Sequence, residues 1–391
     1  MHEVFLYDAV RTPRGKARPD GGLATFTPPA LVAHLVDALR ERAGESIGDP
    51  GALLLGCVTQ TGSQGGHIAL AAKLAAGLPH TCAAHTINNY CASSLSAIGH
   101  AVARVAAGQE RSVLAGGVEM MSLVPFLDDR AEFYTAQELP PSKRFVPPVL
   151  AADRLAHSER IGRAELDTCA LTSQQRATST DRDPLLQASR IAAGALTGEE
   201  CIRPDTTAES LATIPAAFGG LQDQYSEALE GSKFDPLHTI AHAPPVCDGA
   251  GLAILGVEGV APAPRARIVA YAESGGDPAA SLTAGIAAMD KALAHADMSL
   301  GDMDRIEFME AFAVTIAKFL RDRSPDPGRV NVGGGHLAKG HPMGATGAIL
   351  TSTLLDALDG CNGRYGLVVA TGAMGIGSAM IVERLAAQRR N

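Results

Sequence analysis

The stretch Asn88-Asn89-Tyr90-Cys91-Ala92-Ser93-Ser94 decides how the rest of the chain is read. It follows a short extended run, Ala83 to Ile87, and opens a segment in which Leu95, Ile98, Val102 and Val105 recur at helical spacing. Cys91 is therefore expected at a helix N-terminus. There the unpaired backbone N–H groups and the helix dipole favour an anion, which lowers a thiol pKa from its usual ~8.5 and makes the sulfur a better nucleophile. Asn88, Asn89, Ser93 and Ser94 suit such a turn. A cysteine taken alone is more often a small buried apolar residue. Strand-to-helix placement and a distant histidine loop reverse that preference.

The histidine loop reads Asn331-Val332-Gly333-Gly334-Gly335-His336-Leu337-Ala338-Lys339-Gly340-His341-Pro342 and continues to Gly347. Glycines at this density imply backbone passing close to something, often a ligand. His341 stands between a glycine and a proline. A ring held in fixed backbone can donate Nε2–H to a developing oxyanion or take a proton from a thiol. His336 is the weaker candidate, and either histidine alone would more often be a satisfied structural residue.

With these two loops in view, the chain resembles the thiolase family over nearly its whole length. The opening Val4-Phe5-Leu6-Tyr7-Asp8-Ala9-Val10-Arg11-Thr12-Pro13-Arg14-Gly15-Lys16 resembles the family's first strand and loop. Gly116-Gly117-Val118-Glu119-Met120-Met121-Ser122 is similar to its Gly-Gly-x-Glu-x-Met-Ser segment, and Gly340 to Gly347 to its Gly-His-Pro-x-Gly signature. Arg203-Pro204-Asp205-Thr206-Thr207 is similar to the stretch that approaches coenzyme A, and Glu310-Ala311-Phe312-Ala313 to part of Asn-Glu-Ala-Phe-Ala.

The resemblance implies an α/β thiolase fold: two similar βαβαβ-type halves, each a mostly parallel sheet covered by helices, in a layered α-β-α-β-α core with an inserted loop domain. The expected division is 1–122 plus 243–264 for the first half, 123–242 for the loop domain and 265–391 for the second half. Strand-like runs at Val4 to Tyr7 and Val113 to Ala115 alternate with helical ones at Pro29 to Arg40 and Ile68 to Ala76, as α/β units do. Val124 to about His242 is richer in proline, charge and polar residues. A second series begins at Arg267 to Tyr271 and ends on Gly366 to Ala370 and Ala379 to Val382.

By the same resemblance, Cys91 is the nucleophile that attacks an acyl-CoA thioester, with its own N–H in one oxyanion pocket. His341 belongs to the other pocket and activates the thiol. Thr371 stands where the family's final Cys-x-Gly-x-Gly-x-Gly motif has its second cysteine, with Ala373 at the first motif glycine. Met309 replaces the asparagine that positions a water. A threonine hydroxyl does not ionise near pH 7, and a thioether donates nothing. A positioned acid or base contributes about 10² to 10⁴ in rate and one oxyanion donor about 10² to 10³, so neither replacement is minor. Pro244 also replaces a serine expected to bond the pantetheine arm, and Ser94 a usual glycine. Arg203 and Ser210 are expected near the adenine and phosphate end of coenzyme A, because arginine matches phosphate or stacks on a purine.

Three readings follow: an acyltransferase that runs thiolysis or Claisen condensation through acyl-Cys91, a protein restricted to acyl transfer or acyl-CoA hydrolysis, and a noncatalytic partner subunit. No tightly bound cofactor and no metal are expected, with coenzyme A thioesters as substrates. The family implies a homodimer or homotetramer, with a partner multienzyme subunit in some members.

Composition bounds the rest. An apolar content of 46% with 19% charge is ordinary for a globular enzyme of 391 residues. Tryptophan is absent and aromatics make up 4%, so a base-stacking platform is not indicated. A net charge of -9 argues against nonspecific nucleic-acid binding. No charged-then-apolar leader stands at Met1-His2-Glu3 and no apolar run reaches membrane-spanning length, so the cytosol is the expected address. Seven scattered cysteines without Cys-x-x-Cys spacing read as reduced thiols.

Overall fold

The computed structural model describes residues 2–44, 47 and 49–385. The first strands are β1 (Phe5–Arg11), β2 (Gly15–Lys16), β3 (Ala52–Gly56), β4 (Ala83–Ile87) and β5 (Ser112–Met120). After a long strand-free segment come β6 (Cys247–Gly256), β7 (Ala266–Gly275), β8 (Arg305–Phe308), β9 (Tyr365–Gly372) and β10 (Ile376–Arg384). Helices α1 (Pro28–Ala43), α2 (Ile68–Ala75) and α3 (Ser93–Ala106) belong to the first series, and α4 (Pro148–Glu159), α5 (Arg163–Thr180) and α6 (Ala208–Ala212) to the strand-free segment. The second series carries α7 (Ala284–Ala296), α8 (Ala313–Arg323), α9 (His336–Lys339) and α10 (Thr346–Cys361).

Local chemistry fixes several of these boundaries. Helix α1 starts where the Thr27 hydroxyl accepts from Ala30 N and two prolines pre-set the first turn. Its apolar stripe Leu31, Leu35 and Leu39 is fully buried. Runs such as Leu53-Leu54-Leu55 and Val368-Val369 are buried on both faces, which is why no alternation marks them.

All ten strands form one sheet in the order β4-β3-β5-β6-β1-β7-β10-β9-β8, with β2 beside β6. The pairs β3–β4, β3–β5 and β8–β9 are parallel, and the others antiparallel. The sheet is thus mixed rather than mostly parallel. Only Ala373–Gly375 separates β9 from β10, and a connection that short cannot make the crossover a parallel pair requires.

Helix α3 packs on β3 and β5 and also on β7 and β10, while α10 packs on β1, β5 and β6 and also on β8 and β9. In a flat sheet β3 and β10 would lie about 24 Å apart, beyond the reach of one helix. The sheet therefore folds round α3 and α10, with α1 and α2 outside one half and α7 outside the other. Leu95 and Ile98 of α3 and Leu350 and Leu354 of α10 fill this central layer. Among the described residues no helix is long and apolar enough to cross a membrane.

The two central helices touch at Gly347, where an added Cβ would stand 2.5 Å from the Leu95 backbone nitrogen. Gly347→Ala should therefore destabilise the fold by about 1–3 kcal/mol, read as a lowered denaturant midpoint. An unchanged midpoint would show that the crossing has room.

Candidate active site

A net of short-range hydrogen bonds builds the turn before α3. Asn88 Nδ2 donates to Val58 O at 3.0 Å, its Oδ1 accepts from Tyr90 N at 3.1 Å, and Asn89 N donates to Ser93 Oγ at 2.8 Å. Tyr90 adopts a left-handed φ of 44°. The chain then delivers Cys91 to the N-terminal end of α3, as its sequence context predicts.

The expected low thiol pKa does not follow from that position. Burial pushes the Cys91 thiol up to about 12, and the nearby Glu119 charge adds to the rise. Backbone N–H groups of Cys91 and Ala373 act in the opposite direction and are outweighed.

His341 follows Gly340, whose φ of 94° suits glycine, and its own N–H donates to Pro245 O at 2.9 Å. Thr346 Oγ1 lies 2.8 Å from Nδ1, which fixes the ring. Nε2 is buried and has no partner among the described residues. Burial, helped by Arg14, pulls the imidazole pKa down to about 3. The resting pair is thus a neutral thiol and a neutral imidazole.

His336 packs edge-on against His341, with ring centroids 5.4 Å apart, and is fully buried. Cys247 is buried behind Gly340, where an added Cβ would meet its sulfur at 2.7 Å, and its thiol pKa is pushed well up by desolvation. Neither lines the reactive cavity.

Glu119, whose role was not evident in its motif, ties the two loops together. Its carboxylate accepts from Val58 N (2.9 Å), Thr59 N (3.1 Å), Gln64 Nε2 (2.9 Å) and Gly344 N (3.0 Å). Glu310 does similar work under the glycine loop, accepting from Ser173 Oγ, Asn331 Nδ2 and Leu337 N.

Cys91, His341 and Ala373 line one cavity of about 510 Å³. Thr371 and Met309 are not among its lining residues. Ser378 of β10 faces α3, since its hydroxyl lies 3.3 Å from Ser96 Oγ. Its neighbour Gly377 faces α7, where an added Cβ would abut Ala284. Thr371 pairs directly with Gly377 and so shares that outer face, away from α3. Met309 is fully buried in the core, its N–H donating to Val369 O at 2.9 Å.

Arg203 and Ser210 line a second cavity of about 410 Å³ with Asp205 and Thr206. Ala241 borders this cavity, whereas Ala243 and Pro244 border the first, so one short segment runs along both. Among the described residues no group of three or more His, Cys, Asp and Glu side chains is placed to hold a metal ion.

The thiolase N-terminal domain matches residues 4–222 and the thiolase C-terminal domain residues 262–384. The chain is 34% identical to a 3-oxoadipyl-CoA/3-oxo-5,6-dehydrosuberyl-CoA thiolase of Escherichia coli, covering 98% of this chain and 100% of that protein. It is 32% identical to a 3-ketoacyl-CoA thiolase of Colwellia psychrerythraea, with coverage of 98% and 100%. The structure of human mitochondrial 3-ketoacyl-CoA thiolase superposes with a TM-score of 0.86 at 29% identity, covering 98% of this chain and 99% of that one. With both family domains matched in order along one continuous fold, the chain belongs to the thiolase family and is an enzyme of the thiolase type.

Proposed function

We propose that the chain transfers acyl groups between coenzyme A thioesters through an acyl-Cys91 intermediate, with His341 as the proton carrier beside it. The observation that carries this reading is that Cys91 and His341 line the same cavity, with His341 Nε2 left without a hydrogen-bond partner among the described residues. In thiolysis, Cys91 Sγ bonds to the C3 carbonyl carbon of a 3-oxoacyl-CoA while its proton passes to His341 Nε2. The C2–C3 bond then breaks, and the same proton returns to C2 of the departing acetyl-CoA enolate. Coenzyme A thiol next attacks acyl-Cys91, its proton travelling through His341 to the Cys91 thiolate. The N–H groups of Cys91 and Ala373 stabilise the carbonyl oxygen as charge develops.

The residues at the positions that the resemblance assigns to a second cysteine and to an asparagine do not line the cavity of Cys91 and His341. Thr371 faces α7, and Met309 is core. A single histidine serving both half-reactions is the economical alternative, and condensation is the same path in reverse. A noncatalytic subunit or a hydrolase is not favoured, because the relatives are thiolases.

Coenzyme A is assigned to the Arg203 and Ser210 cavity, its arm passing along Ala241 to Pro244 toward Cys91. Segment 123–242 is taken as the inserted loop domain, between 1–122 plus 243–264 and 265–391. A homodimer through the first half is supported by β4, the outer strand of the sheet, and by the exposed Leu70 and Leu74 on α2. Tetramer formation and the cytosolic address rest on the family resemblance.

Intact-protein mass spectrometry with a 3-oxoacyl-CoA should give one acyl adduct on the native chain and none on Cys91→Ala. His341→Ala should slow its formation by about 10² to 10⁴; an undiminished rate would remove His341 from the mechanism. Alkylation of Cys91 by iodoacetamide should rise roughly tenfold per pH unit between about pH 7 and 9, because the thiolate remains a minor species there. A plateau below pH 8 would mean that the thiolate already exists at rest. Arg203→Ala should raise KM for acyl-CoA roughly tenfold with kcat unchanged, and should leave a pantetheine-only thioester unaffected.

A further inference from the structure

The walls of the reactive cavity carry the inference. Cys91, His341 and Ala373 share its lining with Phe126, Leu127, Val149, Phe218, Leu221 and Leu282. No Asp, Glu, Lys or Arg is among the lining residues, and polar side-chain atoms are confined to Cys91, His341, Tyr90 and Tyr225. The pantetheine arm is expected on the Ala243 and Pro244 side, beside the Arg203 cavity. The apolar side chains that remain, Phe126, Val149 and Leu221 among them, are then available to the acyl chain.

We infer that this chamber selects acyl chains ending in an apolar group and rejects those ending in a carboxylate, an inference that rests on the acyl-Cys91 reading above. A terminal carboxylate entering it would give up its hydration without meeting a cation or a set of donors. An apolar chain loses only unfavourable hydration, and each buried methylene is worth roughly fourfold in kcat/KM. The discrimination separates this chain from its 34% identical Escherichia coli relative, whose name describes a 3-oxoadipyl-CoA substrate. Phe126, Val149 and Leu221 are the specificity-determining residues in this assignment. All three belong to the strand-free segment between β5 and β6.

The matched pair 3-oxohexanoyl-CoA and 3-oxoadipyl-CoA isolates the effect, because the two differ only in a terminal methyl against a carboxylate. Thiolysis kcat/KM should favour 3-oxohexanoyl-CoA by at least about 100-fold, and 3-oxodecanoyl-CoA should exceed both. Equal values within about threefold, or a preference for the dicarboxylic substrate, would overturn the inference. Leu221→Arg places a guanidinium at a half-buried wall position and should narrow the ratio at least about tenfold. If that variant does not fold, the native ratio still decides. An acyl adduct on Cys91 without this preference would reject the selectivity alone, whereas no adduct from any of the three thioesters would reject the acyl-enzyme reading on which it rests.

Discussion

One buried carboxylate holds the site together. Glu119, at the end of a central strand, accepts hydrogen bonds from the loop after β3 and from Gly344, which lies 225 residues away and three past His341. Both oxygens of a fully buried acid are engaged, so the energy that burial would cost is offset by donors that have no other partner of equal strength. Desolvation still pushes the Glu119 pKa up, and the N–H groups work against that rise. Because Val58 also receives the Asn88 side chain, the same loop braces the turn that carries Cys91. Cys91 and His341 are thus registered to each other through a side chain that hydrogen-bonds to neither, beside the direct bond from Ala348 N to Ser94 Oγ at 3.0 Å.

The second constraint is the pair of central helices. Cys91 lies two residues before α3 and His341 five before α10, and the sheet folds round both helices. The N-terminal end of α3 beside Cys91 favours negative charge there. At rest that field is outweighed for the thiol by burial and by Glu119. In the proposed mechanism it is better matched to the oxyanion of an attacked carbonyl, assigned there to the N–H groups of Cys91 and Ala373. The close approach at Gly347 and the positive φ at Gly340 are the backbone requirements of this arrangement.

Much of this was legible in the chain and some was not, for identifiable reasons. The helix after Cys91 announced itself by Leu95, Ile98 and Val105, and the rigid histidine by its glycine and proline neighbours. Family resemblance supplied the overall architecture. The orientation of Thr371 was hidden because β9 is buried on both faces, so no alternation reveals which residues face α3. Glu119 was visible only as a motif letter, since its partners lie 55 to 225 residues away. The acyl wall was equally obscure: Phe126, Val149 and Leu221 come from separate parts of a strand-free segment and converge without any sequence period. The thiol pKa differs from what the turn implies because a helix terminus is a local feature and desolvation is a tertiary one.

Burial acts on both reacting residues in opposite directions, raising Cys91 to about 12 and lowering His341 to about 3. Transferring the proton in the empty cavity would create two charges that the surroundings resist. In the proposed mechanism the transfer becomes favourable when the new negative charge moves on, from sulfur to a carbonyl oxygen assigned to two backbone N–H groups. Proton transfer and C–S bond formation are therefore best coupled in one step. A thiol kept neutral until an acyl group arrives is also poorly reactive toward oxidants and adventitious electrophiles. The apolar chamber that selects the acyl chain is in this sense also what keeps the nucleophile quiet, since the same desolvation excludes a substrate carboxylate and raises the Cys91 pKa.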